Sequence, residues 1–83
     1  MDRLKDITDT VKTNVKLMVD HPEDVIVKCS PLGGGVSILI AVASTDLGQI
    51  IGKHGRNARA LRVLARAMGM AANESISVDI REQ

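Results

Sequence analysis

Apolar residues recur every three or four positions near the start of the chain, at Leu4, Ile7, Val11, Val15 and Met18, which is the repeat of one face of an α-helix. The pattern predicts a helix over residues 2–19, with Asp2 placed to cap its start and His21-Pro22 to stop it. The period then shortens to two. Residues 25–29 and 36–43 read as strands, and in the second run Val36, Ile38, Ile40 and Val42 share one side while Ser37, Leu39, Ala41 and Ala43 share the other. Ser30-Pro31-Leu32-Gly33-Gly34-Gly35 between them reads as a hairpin loop. Helical spacing returns in a short segment at 46–51, with Ser44 or Thr45 as its cap, and in a longer one at about 56–68. A last strand alternates Ile76, Val78 and Ile80 with Ser75, Ser77 and Asp79.

The predicted order α-β-β-α-α-β, with strands apolar on one side, is that of a two-layer α+β sandwich whose helices cover one face of the sheet. Two helices join the second and third strands, which permits those strands to run parallel. The expected sheet is therefore three-stranded and mixed.

Between the two later helices lies Gly52-Lys53-His54-Gly55. The first glycine lets a ligand approach bare main chain, and the second opens a helix whose unpaired N–H groups and positive dipole end attract an anion. A lone G-x-x-G is a weak signal, and its place after a strand and a short helix gives it weight. Charge agrees with that reading. The whole chain is only +1, yet residues 47–66 hold Lys53, Arg56, Arg59, Arg62 and Arg66 with no acid, between flanks that are each slightly acidic. Such a field is the footprint of a local anion site. At about 100° per residue the four arginines fall within an arc of about 120°, opposite Ala58, Leu61, Leu64, Ala65 and Met68. Arg56 and Arg59 sit in the first turn, where cations oppose the helix dipole unless an anion compensates. Arg62 and Arg66 read equally well as a solvated face.

The run Ile50-Ile51-Gly52-Lys53-His54-Gly55-Arg56 resembles the signature of KH domains, and Val19-Asp20-His21-Pro22-Glu23-Asp24-Val25 resembles the small bacterial stand-alone members of the KhpA type. The resemblance covers nearly the whole chain and implies a type II KH fold that binds single-stranded RNA, often beside a second KH-containing protein. It implies RNA contacts at Gly52, Lys53, His54, Gly55, Arg56 and Arg59, and a shallow aliphatic groove for about four nucleotides. Leu47, Ile50 and Ile51 fall along the last turn and a half of the short helix and are expected to contact RNA as the aliphatic floor, with a place in the core as the alternative for Ile51. By the same resemblance the glycine-rich hairpin either forms a lip over the bound strand or is a plain connection. Asn57 departs from the family pattern, where an aliphatic residue is common.

Eighty-three residues are expected to form one domain spanning 1–83, with no room for a catalytic domain as well. No Phe, Tyr or Trp is present, which rules out the aromatic stacking used by many single-strand binders and leaves main chain, aliphatic contacts and cations. Cys29 is the single cysteine and is expected to be a buried, inert thiol on the side shared by Val25 and Val27. No signal peptide or long apolar run is visible, so a cytoplasmic protein without membrane contact is expected. The residues show no nucleophile, metal or acid–base constellation, so neither an enzyme nor a cofactor is expected. Two roles stay open. One is a single-stranded RNA-binding module acting as a post-transcriptional regulator or RNA chaperone, and the other is an adaptor that pairs with itself or another KH-containing protein.

Overall fold

The computed structural model describes residues 3–83. Helix α1 (Arg3–Met18) passes through a 3-10 turn (Pro22–Asp24) into strands β1 (Ile26–Leu32) and β2 (Gly35–Val42). A second 3-10 turn (Ser44–Asp46), helix α2 (Leu47–Ile51), a tight turn at Lys53–Gly55, helix α3 (Arg56–Ala71) and strand β3 (Ile76–Glu82) follow. The α-β-β-α-α-β order expected from the periodicities is the one found. Asp2, the expected cap of α1, lies outside the described residues.

The sheet order is β1-β2-β3, with β1 antiparallel and β3 parallel to the central β2. Parallel pairing follows from the connection, because α2 and α3 carry the chain back over one face before β3 begins. Register sets Val27, Ile40 and Ile80 in one row and Pro31, Val36 and Ile76 in another. These rows face the helices. The core joins Ile7, Val11 and Val15 of α1, Ile50 of α2, and Leu61 and Ala65 of α3 to Val36, Ile38, Ile40 and Val42 of β2. On the opposite face, Lys28, Ser77 and Asp79 are exposed and Leu39 is half-buried, so the sandwich has two layers.

Four expectations change. The hairpin loop shrinks to Gly33-Gly34, because β1 stays paired through Pro31 and Leu32 to the Leu32↔Gly35 match. Pro31 is tolerated on this edge strand, and Gly33, at φ +60°, takes the first central position of the tight turn. Cys29 is exposed. It shares the helix-facing side with buried Val25 and half-buried Val27, but cover by α1 runs out along the edge strand before reaching it. Neither Ser44 nor Thr45 caps α2, which starts without any side-chain cap bond. Finally, Ile50, expected to contact RNA, is fully buried, while Ile51, for which the core is the alternative expectation, is 37% exposed.

Asp46 replaces the expected cap with a different device. It is 1% exposed, and its carboxylate accepts the Asp20 N–H at 3.1 Å and the His21 N–H at 3.0 Å. Both oxygens thus tie the segment after α1 to the start of α2. A hydrogen bond to a charged group stabilises by about 1.5–3 kcal/mol, so this link fixes where α2, and the loop after it, leaves the core.

Candidate nucleic-acid interface

The turn after α2 is bent by three departures from ordinary backbone geometry within four residues. Gly52 lies at φ 78°, ψ 169°, His54 at φ 58°, ψ 24°, and Gly55 at φ 74°, ψ 17°. A side chain at 52 is excluded on two counts. Positive φ with extended ψ is essentially glycine-only backbone, and a Cβ there would stand 2.7 Å from Asn57 Cγ and 2.9 Å from Asn57 N.

Two side chains of α3 hold the turn from behind. Asn57 donates from Nδ2 to the Gln49 carbonyl at 2.8 Å, satisfying one of the acceptors that the end of α2 leaves open. Arg59 donates from Nη1 to the His54 carbonyl at 2.8 Å, which fixes the left-handed residue at the tip. Nothing in the sequence periodicity singled out Asn57. Its signal was a short amide side chain just after the G-x-x-G, at a position that a packing argument treats as a flaw.

The chain's own carbonyls occupy part of the expected main-chain anion cradle. Gly52 N–H donates to Gly48 O at 2.9 Å, Gly55 N–H to Gly52 O at 3.0 Å, and Arg56 N–H to Lys53 O. Lys53 and His54, between the two glycines, form the tip of the turn. Lys53, His54, Arg56 and Arg59 are exposed, and Gly52 and Gly55 are half-buried. The first turn of α3 contains no acid and its N-cap is a glycine without a side-chain bond. The positive end of a 16-residue helix therefore faces the turn uncompensated.

Of the residues expected to form the aliphatic floor, half-buried Leu47 and exposed Ile51 reach the surface beside the loop. Ile50 does not. It has no surface to offer a ligand because the short α2 turns it under the sheet, where it fills the core. Gly34 and Gly35 of the hairpin share a surface trough with Arg66 of α3, about ten residues or ~15 Å along the helix from the loop.

Away from this face, His21, Glu23 and Asp24 offer ligand atoms within 4.8 Å of one another, all on exposed side chains. The His21 ring stands 3.6 Å from Glu23. This is a solvated polar turn. Among the described residues no helix is long and apolar enough to cross a membrane.

An α-β-β-α-α-β sandwich carrying a basic G-x-x-G turn between its second and third helices is a type II KH domain. The sequence matches the family model described as KhpA/KhpB, KH domain, over residues 8–80, and the chain belongs to that family. Among its relatives, the RNA-binding protein KhpA of Treponema pallidum is 47% identical over 66 residues, 78% of this chain and 81% of that protein. The RNA-binding protein KhpA of Listeria monocytogenes serovar 1/2a is 38% identical over 82% of this chain and 90% of its own length. That of Bacillus subtilis is 30% identical over 89% and 91% respectively. Among solved structures, a single-substitution variant of Aquifex aeolicus Era bound to GDP.AlF4- superposes with a TM-score of 0.69 at 15% identity, over 93% of this chain. A structure of Era with MgGDPNP and nucleotides 1506–1542 of 16S ribosomal RNA gives 0.67 at 16% identity, over 92% of this chain. This chain spans about 30% of Era, and at that identity the likeness is one of fold.

Proposed function

We propose that the protein is a single-stranded RNA-binding protein that grips the sugar-phosphate backbone at residues 52–55 and acts in the cytoplasm as a post-transcriptional regulator or RNA chaperone. One observation carries the reading: an exposed basic turn, with Lys53 and His54 at its tip, stands at the positive end of a 16-residue helix whose first turn holds no acid. Lys53, His54, Arg56 and the free donors of Arg59 contact phosphates, and Leu47 and Ile51 give the bases an aliphatic surface. Residues 1–83 act as one KH unit.

The relatives' names, RNA-binding protein KhpA, favour RNA over a purely adaptor role. Pairing with itself or with a second KH-containing protein belongs to the same proposal. Val63 is 66% and Met70 77% exposed on the outer face of α3, apolar surface that such pairing would cover. A second copy raises the effective concentration of a weak single site.

Salt dependence tests the phosphate grip. Three to five contacts give a slope of about −2 to −3.5 in a plot of log affinity for single-stranded RNA against log salt. A flat response would show the cations to be merely solvated.

A further inference from the structure

Along the flank of α3 the loop is not the last place suited to an anion. Arg59, Arg62 and Arg66 occupy one side of the helix, and Arg66 is exposed with no ion pair among the described residues. Beyond it opens a trough of about 710 Å³, lined by Arg66, by Ser75 and Ser77, and by Gly34 and Gly35 of the hairpin turn, with Leu32 at its rim. The trough is built into the fold. Val36 donates to the Ser75 carbonyl at 2.8 Å, and Gly35 permits that closeness, since a Cβ on it would stand 2.4 Å from the same oxygen. An exposed guanidinium sharing a trough with Ser75 and glycine main chain is a donor set for a phosphate oxygen, and Ser77, on the outer face of the sheet, borders the same trough. Leu32, 62% exposed, adds an apolar surface against which a base can rest.

The position fits the path of a strand. Arg66 lies ten residues after Arg56, about 15 Å along the axis, with Arg59 and Arg62 in between and no acid on the intervening helix. The first acid after it in the chain is Glu74, which lines a smaller adjoining depression with Arg66 and Met70 without pairing to Arg66. We infer that the Arg66 trough is a second phosphate-holding position, occupied by the single strand of RNA as it runs on from residues 52–55 along α3. This rests on the RNA-binding reading above and extends its footprint past the four nucleotides of the groove.

The experiment compares a four-nucleotide with a twelve-nucleotide RNA by fluorescence anisotropy, using the wild-type protein, Arg66→Ala, Ser77→Asp and Lys53→Asp/His54→Asp. Wild type should bind the longer RNA more tightly. Arg66→Ala should weaken the long RNA by about three- to tenfold, lower its salt slope by about 0.7 and leave the short RNA unchanged. Ser77→Asp, a second exposed position, should act in the same direction. The loop double variant should lose both RNAs. Equal binding of long RNA by wild type, Arg66→Ala and Ser77→Asp overturns the trough while leaving the loop intact. If Arg66→Ala instead abolishes self-association with RNA binding unaltered, the trough serves a protein and the proposal is wrong. Failure of wild type to bind either RNA, or full binding by the loop double variant, tells against the RNA reading itself.

Discussion

Gly52→Ala asks the most of the local structure for the smallest chemical change. The backbone at this position, φ 78° and ψ 169°, costs a side-chain-bearing residue about 1–3 kcal/mol. The new methyl would also stand 2.7 Å from Asn57 Cγ and 2.9 Å from both Asn57 N and Nδ2. The main-chain nitrogen belongs to α3 and cannot move alone, so the side chain must yield, which loses the 2.8 Å bond to Gln49 O and about 0.5–1.5 kcal/mol with it. The two effects together amount to about 2–4 kcal/mol. In a domain of this size that lowers the melting temperature by about 10–20 °C if the loop holds its shape. Should the loop relax instead, the melting change is smaller and RNA affinity falls in its place. Thermal unfolding followed by circular dichroism, paired with RNA titration, reads both outcomes. Adding Asn57→Ala removes two of the three close contacts, so the double variant should lose less than the sum of the single losses. A Gly52→Ala protein with wild-type melting and wild-type affinity would refute this description of the turn.

Ile50→Ala should destabilise by about 2–5 kcal/mol, as expected for emptying a fully buried site, whereas Ile51→Ala should barely change melting and should weaken RNA binding. Chemical denaturation of both variants checks the exchange of roles between these neighbours. Asp46→Ala strands the Asp20 and His21 amides that its carboxylate satisfies and should cost about 2–4 kcal/mol. Amide exchange at those two residues should rise well above that of the rest of the chain.

The periodicities carried the architecture because burial here is one-sided. Val36, Ile38, Ile40 and Val42 alternate cleanly and all four are buried, and the order of elements left β3 one natural place, beside β2. The G-x-x-G and its run of cations were legible because glycine and charge are local signals. What escaped was decided by tertiary reach. Ile50 and Ile51 are chemically alike, and only the exact start of a five-residue helix settles which one turns inward. Asp46 reads as the first residue of the short helix until the distant Asp20 and His21 amides are seen beside it. Asn57 reads as a packing flaw until the open end of α2 appears against it. Cys29 follows its strand's alternation, but alternation cannot tell how far a covering helix extends.

The central claim is that the basic turn binds RNA through its exposed tip, and the substitution Lys53→Asp/His54→Asp tests it most directly. Both side chains are exposed, so circular dichroism and the melting temperature should match the wild type while crosslinking to single-stranded RNA disappears. Crosslinking retained at the wild-type level by a folded double variant would contradict the account.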